Sequence, residues 1–514
     1  MSTPYDLVPF PCVALAQTHP ERLAAFAHVL GFASPAPPER GRTLELGCAD
    51  GGNLIPLAAS LPEAHFVGVD ASARELAVAE ERSAELGLKN LTWIQAELGQ
   101  DDPLEDAGGP FDAVLCHGLF SWVTPEVQAK ILGLCRRALA PSGLALINYN
   151  TLPGWEARRS LRGLIRPHVA GLSEPGQQIA EARAILQGLS EGLEASPQAR
   201  LYEHELGELA KASDAYLFHE FIGEVNAPLY VHEFLANARA AGLAYVGEAD
   251  FQDGRDALFP ERVRPGLSKD PEALALHLLR EDFRTSRAYR ASLLALPEAV
   301  EGAAARGLEG LHAACQVGER AEERALASSI PESFPFLTEG ERWLTLTDPL
   351  VKAAALELDA CWPESLPFEG LSERARGRLG SAAQGGDPAR LAAGLLELFG
   401  AGVLRLSPLG SRAVRSPGDT PRAFAPARAD ARPRGLVPNL LHQVVALDAC
   451  DRVLLPALDG ARGAADLIAH LVDATLRGEL SVSGISDPAQ LAQAFAELLP
   501  ERLAALAARG LLEG

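Results

Sequence analysis

At 514 residues the chain is too long for one ordinary domain, and three or four are expected. A net charge of −22 argues against a general nucleic-acid binder, which shows a basic surface, and no uncharged apolar run reaches the roughly 18 to 20 residues that cross a bilayer. Seven scattered cysteines, odd in number and without CxxC spacing, suggest neither a metal site nor a disulfide framework, and with no signal peptide at Met1–Asp6 a reducing, cytoplasmic setting is expected.

Residues 1–40 read as a cap segment with one helical run, Pro20–Leu30, joined onward by the stiff stretch Ser34-Pro35-Ala36-Pro37-Pro38. Residues 41–155 alternate short apolar strands with helical patterns. The strands are Thr43–Leu46, His65–Val69, Leu91–Ile94, Ala113–Cys116 and Leu144–Tyr149; the helices include Leu54–Leu61, Ala73–Leu86 and Glu126–Leu139. That alternation predicts a doubly wound, mostly parallel α/β sheet with right-handed crossovers. Beyond it, residues 156–255 read as a helical domain and 256–335 as a helical middle region broken by Pro260, Pro265 and Pro271. Residues 336–410, with three helices and a strand at Gly402–Leu406, have the size of a winged-helix-like module. Residues 411–438 are rich in proline and arginine (Arg412, Arg415, Arg422, Arg428, Arg432, Arg434) and read as a linker, with contact to an acidic partner or domain as the sharper alternative. Residues 439–514 form a last small helical domain.

The chemistry begins where the first strand breaks into Glu45-Leu46-Gly47-Cys48-Ala49-Asp50-Gly51-Gly52-Asn53. A strand, a small-residue turn and a helix start let the backbone approach a nucleoside ligand and offer it free N–H groups. The second strand ends in Asp70-Ala71, and a carboxylate there can accept from both ribose hydroxyls; a helix N-cap is the plainer role for the same residue. The third strand runs into Ala96-Glu97, where a side chain or backbone group can meet an adenine amine. The fourth ends in Cys116-His117, at the carboxyl edge where ligands of open α/β sheets lie. The turn Pro141-Ser142-Gly143 opens the fifth strand.

In this order the five signals resemble the class I S-adenosylmethionine (SAM) methyltransferases, a Rossmann-like fold. Two further strings, His117-Gly118-Leu119-Phe120-Ser121-Trp122-Val123 and Asn148-Tyr149-Asn150-Thr151-Leu152-Pro153-Gly154-Trp155, resemble a bacterial group with an appended methyltransferase regulatory domain. That group includes the rickettsial lysine methyltransferases of an outer-membrane protein. The similarity continues at Tyr5-Asp6, at Tyr216–Phe221, at Phe283-Arg284 with Arg287–Arg290, and at Leu458-Asp459-Gly460. Phe120 and Leu152 depart from it.

The resemblance implies SAM as cofactor and S-adenosylhomocysteine as product. It places Glu45, Gly47, Cys48, Ala49, Asp50, Gly51, Asn53, Asp70, Ala71, Ala96, Glu97, Cys116 and His117 around the donor. His117, Tyr149 and Trp122 become the catalytic candidates, and Tyr5, Trp122, Tyr149, Asn150 and Tyr230 the acceptor-binding ones. Transfer is an in-line displacement in which the protein mainly positions donor and acceptor. A lysine acceptor must be neutral, which desolvation beside aromatic rings favours, with His117 as a proton acceptor. The expected partner is a protein, peptide or small-molecule methyl acceptor, with no nucleic acid, no membrane, and room for a homodimer. Protein lysine leads. A small molecule or natural-product peptide is the alternative, and a SAM-binding scaffold without catalysis is a third reading.

Overall fold

The computed structural model describes residues 4–32, 36–196, 199–249, 270–301, 303, 306–318, 326, 328–338, 340–380, 387–482, 485 and 487–514. Ser34, Pro35, Pro260 and Pro265 of the expected breaks lie outside them. Its centre is a seven-stranded sheet: β1 (Arg42–Leu46), β2 (His65–Asp70), β3 (Leu91–Gln95), β4 (Phe111–Cys116), β5 (Leu139–Asn150), β6 (Ala244–Glu248) and β7 (Tyr289–Ala295). The order is β3-β2-β1-β4-β5-β7-β6. The first five are parallel, and β7 runs antiparallel to β5 and β6. Thr43 to Leu46 and all of β4 except Asp112 are buried, as expected of central strands covered on both faces.

The sheet therefore extends past the expected boundary at residue 155. Its last two strands come from segments that read as helical, because Ala244–Glu248 and Tyr289–Ala295 each follow closely on a strong helix, Val231–Ala240 and Pro271–Thr285. β7 is tied down from beneath: Arg290, fully buried, pairs with Asp282 at 2.7 Å and Glu248 at 2.7 Å.

Helix Pro20–Leu30 packs on one sheet face, in a core shared with the module formed by residues 308–406. That module holds the hairpin Glu332–Leu337/Glu341–Leu346 and helices Pro349–Cys361, Phe368–Leu379 and Pro388–Gly400. Helices Glu156–Val169, Pro175–Gly192 and Ala199–Leu209 make a separate core.

The segment 411–438 is not a linker. Arg422–Ala423 pairs with Leu512–Glu513, Ala425–Asp430 is helical, and Leu436–Pro438 pairs with Val444–Ala446. These pieces complete the C-terminal core with helices Ala464–Leu476 and Pro488–Ala508. Strands of two or three residues show no periodicity, which is why the stretch reads as loop. Among the described residues no helix is long and apolar enough to cross a membrane.

Candidate active site

A cavity of about 500 Å³ opens at the carboxyl ends of β1 to β4. That is ample for a nucleoside-sized ligand. Its floor is the turn after β1. Gly47 takes φ +81° and Ala49 φ +45°, and Gly47 and Cys48 donate to the Val69 carbonyl at 2.8 and 3.1 Å, which binds the turn to β2. Asp70 closes the same turn: one carboxylate oxygen accepts from Ala49 N and the other from Ser72 N, both at 2.9 Å. Burial raises its pKa against these donors. The carboxylate is thus held rigidly with lone pairs left toward the cavity.

Glu45 also lines the cavity, almost fully buried. Its Oε1 accepts from Asn53 Nδ2 at 2.9 Å, while Oε2 is buried without a partner. Desolvation pushes this carboxyl up to about 8. A buried carboxylate oxygen without a donor is costly unless a cation meets it.

The roof is the N-terminal segment, with Tyr5, Phe10, Val13 and Leu15 over the cavity. Tyr5 stacks on His219, centroids 4.3 Å apart, and His219 Nε2 donates to the Val8 carbonyl at 2.6 Å. Asp6 bonds Ser72 Oγ at 2.6 Å, just past Asp70. Burial and the nearby Glu220 and Asp70 push the Tyr5 hydroxyl up to about 12.

At the far wall, His117 is half-buried, and desolvation lowers its pKa to about 4. Asn148 orients what surrounds it. Its Oδ1 accepts from Gly118 N at 2.6 Å, so its Nδ2 must donate to Tyr289 OH at 2.9 Å. Tyr289 OH lies 2.9 Å from His117 Nε2 and can donate to it; Gln17 Nε2 stands 3.4 Å away. Trp122 lines the cavity and meets Trp155 edge-on at 6.2 Å. A second cavity, of about 350 Å³, shares Leu15 and His117 with the first and runs toward the 308–406 module. Among the described residues its walls carry Arg22, Arg342 and Arg405 and no carboxylate.

Of the residues singled out in the sequence, Tyr5, Glu45, Gly47, Ala49, Asp70, Ala71, Ala96, Glu97, His117 and Trp122 line the first cavity. The others stand apart from it. Cys48 and Cys116 are buried in the cores beside the strands. Asp50 turns away to pair with Arg82 and Arg434. Gly51 lies against the Trp93 ring. Asn53 sits behind Glu45. Tyr149 is a correction: it stacks on Phe234 at 4.1 Å inside the core, because alternate residues of a strand face opposite ways and Asn148 takes the site face. Asn150 uses its backbone, donating to Ser121 Oγ at 2.8 Å, and Tyr230 stacks on Phe283 away from both cavities. Sequence reasoning missed Tyr289, Gln17 and Leu15; period-two alternation in β5 was the available signal for Asn148.

Comparison with known proteins fits this geometry. Residues 43–143 match a methyltransferase domain, 213–295 a predicted methyltransferase regulatory domain, and 419–511 a PKMT C-terminal winged helix domain. The chain is 37% identical over 293 residues to the uncharacterized protein RP789 of Rickettsia prowazekii, covering 57% of this chain and about half (52%) of that relative. It is 32% identical over 237 residues to RP028 of the same organism, covering 46% of this chain and 93% of that protein. Among solved structures, PKMT2 from Rickettsia typhi matches 98% of this chain and 100% of its own, with a TM-score of 0.80 at 22% identity, a likeness of fold. The chain belongs to the class I SAM-dependent methyltransferases, in the group that carries a methyltransferase regulatory domain and a PKMT-type C-terminal winged helix.

Proposed function

We propose that this methyltransferase binds SAM in the 500 Å³ cavity and methylates the side-chain amine of a protein lysine presented from the 350 Å³ cavity. The observation that carries the reading is the meeting of the two cavities at His117 and Leu15. The likeness to R. typhi PKMT2, which has also been solved in complex with AdoHcy, supports it.

The donor supplies an electrophilic methyl on a cationic sulfonium. In this reading Asp70 accepts the ribose hydroxyls, Ala71, Ala96 and Glu97 border the adenine, and Glu45 Oε2 gains the ammonium it lacks as a partner. The acceptor amine is the harder problem, since a lysine in water holds its proton up to about pH 10.4. With a pKa lowered to about 4, His117 is neutral near pH 7 but far too weak a base to strip that ammonium by itself. The neutral amine is therefore secured by desolvation between Trp122, Leu119 and Leu15, while His117, held by Tyr289 and Asn148, orients it.

The wall of the second cavity, which holds Arg405 and, among the described residues, no carboxylate, favours a second reading, a smaller acceptor bearing a carboxylate or phosphate beside the methylated atom. Incubation with labelled SAM and a bacterial lysate, followed by mass spectrometry, separates the two. Label on lysine side chains is expected; label confined to small molecules overturns the lysine acceptor.

A further inference from the structure

The C-terminal domain reaches the donor site through a buried polar chain. His442 is 2% exposed and takes φ +56°, a left-handed conformation uncommon outside glycine. Its Nε2 lies 2.8 Å from Asn53 Oδ1. The backbone N–H of Leu15 also meets Asn53 Oδ1, at 3.2 Å, and a backbone N–H can only donate. The atom is therefore the amide oxygen, His442 Nε2 carries the hydrogen, and Asn53 Nδ2 is left to donate to Glu45 Oε1 at 2.9 Å. Thr18 Oγ1 stands 3.0 Å from the same Oδ1 and 2.8 Å from the Leu15 carbonyl, and its one hydrogen serves one of the two. The same domain grips the other side of the turn, where Arg434 pairs with Asp50, and Asp430 with Arg82 at 3.0 Å.

We propose that His442 is a positioning residue for methyl transfer: it fixes the Asn53 amide, which holds the Glu45 carboxylate with its free oxygen toward the donor, so that the docked C-terminal domain sets donor affinity. The proposal rests on the donor-site reading above. Its logic is orientational. With Glu45 ionised, as it is when it meets the donor's ammonium, an amide free to flip would present Asn53 Oδ1 to Glu45 Oε1, two acceptors face to face; the His442 and Leu15 donors forbid that flip. Glu45 is surrounded by Asp70, Cys12, Cys48 and Cys116, and His442 by His19 and Arg405. Among these described neighbours there is no cation beside Glu45 other than the ligand it would receive. Burial also keeps His442 neutral, so the link does not switch off in mild acid.

The test is calorimetric titration of S-adenosylhomocysteine into the full chain and three variants. His442→Gly removes the side chain while suiting the positive φ, and weakens binding about fivefold to tenfold, the size of one buried hydrogen bond. His442→Gln, which carries a donor at similar reach, recovers most of that loss. In an Asn53→Ala background His442→Gly changes affinity less than about twofold, because the intermediary is gone. His442→Leu, which keeps bulk without a donor, repeats the comparison if the glycine variant does not fold. Equal affinity in a folded donor-less variant, or the same loss with Asn53 already removed, overturns the proposal alone. No binding by the unaltered chain overturns the donor-site reading beneath it.

Discussion

Glu45 carries a conflict between stability and function. Its carboxyl rises from about 4.5 to about 8 on folding, because burial disfavours the charge and only Asn53 donates to it. An acid with a raised pKa binds its proton more tightly folded than unfolded, so the native state loses stability as pH climbs from about 4.5 to about 8. Glu45→Gln removes that liability. The ligand-free variant should melt near the wild type at about pH 4.5 and increasingly above it as pH rises to about 8, by scanning calorimetry, while binding S-adenosylhomocysteine more weakly. Wild-type affinity should rise between pH 6 and 8 as Glu45 ionises, and the variant should lose that rise. A variant that melts lower at about pH 8, or keeps the pH dependence, counts against the placement of the charge. The same scale shows why Tyr149 misleads. A conspicuous aromatic in a string similar to a known family is one residue away, and on the opposite strand face, from Asn148, which touches the site.

At the scale of elements, the roof over the donor cavity depends on a glycine. A Cβ on Gly52 would sit 2.0 Å from the Cys12 carbonyl oxygen, so the turn after β1 and the segment bearing Phe10, Val13 and Leu15 approach as closely as backbones can. Gly52→Ala must push the roof outward. Because Asp70 and the sheet are untouched, the expected result is a loss of donor affinity of about tenfold or more, out of proportion to any fall in melting temperature. A fall in melting temperature with full affinity would show the roof to be dispensable. The first four strands and their helices are legible because strand and helix patterns alternate there with clear turns between them. Helix Pro20–Leu30 matches its expected bounds, and β1 to β4 differ by one or two residues. By contrast β5, expected at Leu144–Tyr149 after a turn at Pro141–Gly143, runs Leu139–Asn150 and takes that turn into the strand. β6, β7 and the pieces of 411–438 are not legible, since their pairing is set by distant partners rather than by local pattern. The arginine cluster there reads as a solvated linker or as a contact strip for an acidic partner or another domain. Part of that partner is the chain itself, through Asp50, Asp430, Glu479 and Glu513.

At the scale of the whole molecule, the site is assembled from sequence positions hundreds of residues apart. β1 and β2 supply the donor floor, residues 4–15 the roof, the π-helical turn Phe218–Ile222 the hold on that roof through His219, β7 the Tyr289 hydroxyl, and the C-terminal domain the His442 link. The donor half could be foreseen because its groups lie within one strand-turn-helix alternation. The acceptor half could not, because Tyr289, Gln17 and the second cavity arise only when β7 and the 308–406 module close against the sheet. The central claim, that this assembled cavity is a SAM site anchored by Asp70, is tested most directly by titrating S-adenosylhomocysteine into the full chain and into Asp70→Ala. The account predicts saturable binding by the unaltered chain and a loss of about a hundredfold in the variant, the effect of two charge-assisted hydrogen bonds. Near-equal affinity of the two proteins would contradict it.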